Sequence, residues 1–284
     1  MLPPAIRTAL RQTLSTELLG VQGISGGDIH RAYRVRTAAG DYFLKSPEQA
    51  YGAALLRAEV AGLDHLEGRS PLPVPERIAF STAPPLLLLT YLPPTPPGAA
   101  AWQALGEGLA ALHRQTAPGF GFEHDNFIGT LPQSNRRHAA WPVFYAKERL
   151  LPQLRAARDA QRLTATDVQH TERLIARLPE LLENEPPALI HGDFWSGNFH
   201  CTGTDRMYLI DPAVCYASRE MDLALARLFG GFDTRFFAAY AAAFPLAPGW
   251  ADRLPIYQLY YLLAHLNMFG AGYLPGVRRI VREF

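Results

Sequence analysis

The rhythm of apolar and polar positions changes three times along the chain. Residues 3–19 are predicted to form an opening helix. The short runs LLGVQGI, RAYRVRT and DYFLKS follow, separated by turn residues, and predict consecutive antiparallel strands. Over residues 50–67, Leu56, Val60, Leu63 and Leu66 recur at helical spacing. PVPERIAFS and PPLLLLTYL predict two more strands, the second too uniformly apolar for an exposed edge. Prolines at 93–98 then break the pattern. Beyond them helix dominates, beginning with a stripe of Trp102, Leu105, Leu109 and Leu112. The expected fold class is α+β in two lobes: a small antiparallel sheet with one inward-facing helix over 1–92, and a larger, mainly helical part over 93–284.

Composition narrows the possibilities without deciding among them. With 284 residues, 48% hydrophobic and 19% charged, the chain reads as an ordinary globular protein. A net charge of +1 gives no electrostatic reason to expect nucleic acid or an anionic membrane as partner. Two cysteines, Cys201 and Cys215, make one bridge at most and cannot fill a structural zinc shell alone. With no signal-peptide pattern and no long apolar run, a reduced, cytoplasmic protein is expected.

The segment LIHGDFWSGNFH at 189–200 carries the densest chemistry. Asp193 precedes Asn198 by five residues, the spacing of the aspartate and asparagine in the kinase catalytic loop. A carboxylate there can accept a hydroxyl proton beside a transferring phosphoryl group. A neutral amide oxygen on the same loop can hold magnesium, a metal that prefers hard oxygen ligands and takes few from protein. Thirteen residues later, Asp211 closes the apolar run MYLID and can supply the second metal contact. Pro212 and Ala213 stand where a protein kinase carries Phe-Gly, so no activation-loop switch is expected. His191 reads as a packing and hydrogen-bonding residue of the loop.

The first lobe offers an independent check. Lys45 ends the third strand-like run, and Glu59 falls on the inward stripe of the helix that follows. An inward carboxylate needs a cationic partner, because burying it alone is costly. Lys45 is the candidate, as in the kinase lysine–glutamate pair. The turn GISGGDIHRAY places Ser25, Gly26 and Gly27 where backbone could approach phosphates, although the pattern is neither G-x-G-x-x-G nor a P-loop.

At this point the chain resembles the fructosamine kinase (ketosamine-3-kinase) family, related to the aminoglycoside and choline phosphotransferases. HGDFWSGN is similar to that family's H-G-D-[LF]-W-x-G-N, and IDPAVCYASREMDLALARLFGGF to its downstream block. GFGFEHDNFIGTLPQSN, WPVFYAKERLLPQL and YQLYYLLAHLNMFG also resemble family blocks. Ala217 departs from the common glycine, and Thr90 stands where an acidic residue is frequent. The resemblance implies a protein-kinase-like fold and ATP- and Mg2+-dependent phosphorylation of the C3 hydroxyl of a ketosamine, either a small molecule or a glycated protein. It implies Asp193 as base, Asn198 and Asp211 as metal ligands, Lys45 as phosphate-binding lysine, and adenine contacts near Thr90, Tyr91 and Leu92. Trp195 would either stack on the sugar or its amine, or pack the loop. Asp222 would hydrogen-bond the backbone of the catalytic loop. His265 and Asn267, polar groups in an apolar helix, would approach the acceptor. The rival readings are a kinase for another amine-bearing alcohol, such as an aminoglycoside, choline or homoserine, and a nucleotide-binding pseudokinase. Trp195 and the FGGF run argue against the former, and the complete set of Lys45, Asp193, Asn198 and Asp211 against the latter.

Overall fold

The computed structural model describes residues 2–24, 31–183, 185–203 and 205–284. Ser25, Gly26 and Gly27 lie outside the described residues.

Helix α1 (Pro4–Leu14) starts with a proline whose missing N–H costs nothing in the first turn, and stops at Ser15, which is left-handed at φ 48°. It is shorter than the sequence predicts, because Leu18 already pairs with Thr37 in a sheet. That sheet comprises β1 (Leu18–Ile24), β2 (Arg31–Thr37), β3 (Gly40–Ser46), β4 (Arg77–Thr82) and β5 (Pro85–Thr90), in the order β1-β2-β3-β5-β4. Helix α2 (Gly52–Leu66) connects β3 to β4. Side chains of a strand alternate between its faces, and β5 illustrates why its sequence is apolar throughout. Leu86 and Leu88 pack with Ile6 and Leu10 of α1, whereas Leu87 and Leu89 pack with Leu56, Val60 and Leu63 of α2. Both faces of this interior strand are covered.

The rest of the chain is mainly helical. Helix α3 (Ala99–His113) buries the expected Leu105, Leu109 and Leu112, and is followed by a hairpin of β6 (Asn126–Ile128) and β7 (Leu131–Gln133). Helix α4 (Trp141–Phe144) runs through a π-helical turn, Tyr145–Leu150, into α5 (Leu151–Asp159), with α6 (Ala165–Leu181) next. Four short strands frame the candidate chemistry: β8 (Ala188–Ile190), β9 (Phe199–Thr202), β10 (Arg206–Leu209) and β11 (Cys215–Ala217). β9 pairs with β10 and β8 with β11. Then come α7 (Glu220–Phe229), α8 (Thr234–Ala243), α9 (Trp250–Phe269), a 3-10 turn at Ala271–Tyr273, and α10 (Leu274–Glu283).

Helix α9 is apolar on nearly every side because it runs through the main core. Helices α3 and α8 approach closely at Gly106, where a β-carbon would lie 2.4 Å from the Phe236 carbonyl oxygen. The sheet and the helical part are stitched together by Leu209 N–H donating to Pro73 O (2.9 Å) and by Gly62 of α2 seated against Pro212. Cys201 and Cys215 are both buried free thiols. Among the described residues no helix is long and apolar enough to cross a membrane.

Candidate active site

Pairing of β8 with β11 sets the start of the loop that follows Ile190. Its first two N–H groups, from His191 and Gly192, donate to the two carboxylate oxygens of fully buried Asp222 on α7, at 2.7 and 2.9 Å. Gly192 adopts φ +84°, and a β-carbon there would sit 2.1 Å from the Ala213 carbonyl oxygen, so the position requires glycine. The buried His191 ring lies 2.9 Å, through Nε2, from Ile210 O, and its Nδ1 accepts from Asp193 N–H at 3.3 Å. Burial holds this imidazole below its ordinary pKa, with Asp222 opposing. His191 therefore shapes the loop.

The loop delivers a partly buried Asp193. Asn198 donates through Nδ2 to Asp193 O and to Asp193 Oδ2, both at 2.9 Å, so its amide oxygen is turned away from that carboxylate. Burial and the nearby Asp211 charge push the Asp193 carboxyl up to about 7, against the Asn198 hydrogen bond that pulls it down. Ile210 N–H donates to Asn198 O at 3.1 Å, which draws Asp211 alongside the loop, with Asp211 in a left-handed conformation at φ 54°. Few non-glycine residues adopt this region, and such strain concentrates at functional sites.

Across the cleft, buried Lys45 of β3 donates from Nζ to Glu59 Oε1 of α2 at 2.8 Å and also to Asp211 Oδ1. Burial alone would lower the ammonium pKa, but Asp211 and Glu59 outweigh it and hold Lys45 above its ordinary value. One hydrogen-bonded set thus joins the sheet, α2 and the segment after β10.

These groups line a single cleft of about 710 Å³. Lys45, Glu59, Asp193, Trp195, Asn198, Asp211 and His265 all line it. Trp195 is half-exposed, and its ring lies over Gly197, where a β-carbon would come within 2.3 Å of the indole. Four sequence candidates are not among its lining residues. Asn267 donates to Gln153 O and Oε1 at 2.9 and 2.8 Å, tying α9 to α5, and is not among the cleft's lining residues. Thr90, Tyr91 and Leu92 are likewise not among them. The Thr90 and Tyr91 N–H groups donate to Glu76 O (2.9 Å) and Asp41 O (3.3 Å) instead.

The cleft also contains residues that were not among the sequence candidates. Phe43 and Ile210 add apolar surface beside Lys45 and Asp211, and His200 adds an imidazole held below its ordinary pKa by burial. Phe229, Phe269 and Tyr273 also line the cleft. The FGGF run pointed to Phe229, but aromatic residues at the end of an apolar helix are indistinguishable by periodicity from core.

The family model described as fructosamine kinase matches residues 4–284. The chain belongs to the fructosamine kinase family. A relative named "Probable ketoamine kinase" from Lactiplantibacillus plantarum is 40% identical over 280 residues, covering 98% of this chain and 99% of the relative. The "Protein-ribulosamine 3-kinase, chloroplastic" of Arabidopsis thaliana is 32% identical over 283 residues, covering 97% and 85%. A solved Thermobifida fusca structure described as a "putative fructosamine-3-kinase" superposes with a TM-score of 0.88 at 36% identity, covering 98% of this chain and 97% of that one. As a member of this phosphotransferase family the protein is a kinase, with the α+β protein-kinase-like fold expected from its sequence.

Proposed function

We propose that the protein transfers the γ-phosphoryl group of ATP to the C3 hydroxyl of a ketosamine, with Asp193 as the catalytic base. The observation that carries this reading is the convergence in one cleft of the Lys45–Glu59–Asp211 set and the Asp193–Asn198 pair. The names of the ketoamine and ribulosamine kinases it resembles support the acceptor class. Residues 1–92 would bind nucleotide, and 93–284 would carry the catalytic loop and acceptor site.

Asp193 would accept the sugar proton as the oxygen attacks phosphorus, a step in which a positioned base contributes about 10²–10⁴-fold. Asn198 holds Asp193 in place through Nδ2, which leaves its amide oxygen to face a metal. Together, Asp211 and Asn198 offer hard oxygen donors. Among the described residues, no group of three or more His, Cys, Asp or Glu could hold a metal ion. Two protein ligands, with phosphates and water completing the shell, is a set that suits magnesium. Magnesium bound there would neutralise the phosphate charge as it develops. Lys45, kept cationic by its carboxylate partners, would engage the phosphates from the sheet side.

The decisive experiment incubates the protein with magnesium-ATP and a panel of ketosamines, then locates any new phosphate by NMR. Phosphate on C3 is the expected result. Transfer to choline or kanamycin but to no ketosamine would overturn the reading, as would ATP binding without turnover on any acceptor.

A further inference from the structure

The cleft also holds an aromatic cluster around His265 that phosphoryl transfer itself does not use. Phe229 closes α7, His265 and Phe269 lie in the last turns of α9, and Tyr273 belongs to the 3-10 turn that follows. The His265 ring is their hub, with centroids 4.7 Å from Phe229, 5.4 Å from Phe269 and 5.0 Å from Tyr273. Two contacts fix this cluster close to the catalytic loop. Tyr261 donates from its hydroxyl to Gly192 O at 3.1 Å, and His265 stands one helical turn further along the same face of α9. Gly231, just after Phe229, packs on Ser196, the neighbour of Trp195.

Exposure and charge describe what would fit. Phe269, Phe229 and Trp195 are 50%, 39% and 37% exposed, and they are three of the six large hydrophobic side chains left exposed among the described residues. Gathering them in one concave site is the signature of a binding surface for an apolar group. Among the described residues lining the cleft, Lys45 is the one permanent cation, and Glu59 and Asp211 engage it. The other carboxyl group lining the cleft is that of Asp193 itself.

We infer that Trp195, Phe229, His265, Phe269 and Tyr273 form the subsite for the amine substituent of the acceptor, selecting ketosamines whose amine carries an apolar or aromatic group and no adjacent carboxylate. The inference rests on the proposed function and specifies its substrate. A ketosamine carries its nitrogen on C1, two carbons from the reacting C3, so a sugar placed at Asp193 projects its amine into the neighbouring cluster. That secondary amine is cationic at neutral pH, and aromatic faces attract a cation while accepting its hydrocarbon. A carboxylate next to the nitrogen would enter a site where, among the described lining residues, the one permanent cation is already held by two carboxylates, at a desolvation cost.

The test uses three 1-amino-1-deoxyfructose adducts, of benzylamine, butylamine and glycine. ADP release would be measured in the wild type and in the Phe229→Ala, Phe269→Ala and Phe269→Arg variants, each checked for unchanged thermal unfolding. The wild type is expected to favour the benzylamine adduct over the glycine adduct by about tenfold or more in kcat/KM. Either alanine substitution should raise KM for the benzylamine adduct and narrow that ratio, while Phe269→Arg should raise kcat/KM for the glycine adduct. Equal use of the glycine and benzylamine adducts by the wild type would overturn the inference, as would a ratio that none of the substitutions moves. Both results leave the proposed reaction standing. Turnover of none of the three adducts would overturn the proposed reaction, and this inference with it.

Discussion

Asp193 owes its position to backbone groups that no substitution of Asp193 itself would disturb. Two consecutive N–H groups on the Asp222 carboxylate and a left-handed Gly192 hold the loop from beneath. Asp193→Ala is therefore expected to keep the loop and its ATP affinity while lowering kcat by about 10²–10⁴-fold. Nucleotide titration beside steady-state kinetics checks both halves. Gly192→Ala should do the opposite kind of damage. Its β-carbon meets the Ala213 carbonyl and its backbone is strained, so a loss of about 1–3 kcal/mol in urea unfolding is expected together with reduced turnover. Lys45→Met would leave Glu59 buried without its cation, and magnesium-ATP affinity should fall along with stability.

Elements are joined by polar contacts as well as by the core, and one such joint responds to pH. Thr164 and Asp167 form a reciprocal capping box at the start of α6, and Arg278 of α10 donates to both Asp167 oxygens at 3.0 and 2.9 Å. The Arg278 hydrogen bonds, helped by Thr164 and opposed by burial, lower the Asp167 carboxyl to about 2 from its ordinary 3.8. A depressed carboxylate stabilises the fold above its unfolded pKa, and that contribution fades as pH falls from about 4 towards 2. Arg278→Ala should therefore lower stability at pH 6, and by progressively less below pH 4. Urea midpoints of the two proteins across that range provide the check. The sequence disclosed elements where one periodicity governed them. Glu59 was legible because it interrupts an apolar helical stripe, and β5 because neither of its faces alternates. The end of α1 was not, since Leu18 and Leu19 suit a helix until β2 offers Leu18 a partner. Nor were Phe269 and Tyr273, because pattern alone cannot say whether an aromatic residue at a helix end faces the core or a cavity. Asn267 shows the reverse: its polarity drew attention to the cleft, but its amide nitrogen donates to Gln153.

For the molecule as a whole, the cleft is walled by the sheet and α2 on one side and by the loops and α9 on the other. Magnesium-ATP bound there would contact both sides, so it should raise the thermal midpoint in proportion to its saturation. Ligand at about 100 times Kd stabilises by about 2.7 kcal/mol. Scanning fluorimetry should detect that shift in the wild type and a smaller one in Asp211→Ala, whose proposed metal ligand is lost. The opposite face of the sheet depends on α1. Tyr33, Val35, Leu44, Leu86 and Leu88 are buried in the cluster that Leu2, Ile6 and Leu10 complete. Stripping that helix away would turn a covered sheet into a broad greasy panel, the kind of surface on which unrelated molecules stick together. Keeping that panel covered falls to residues 2–14, none of which lines the cleft.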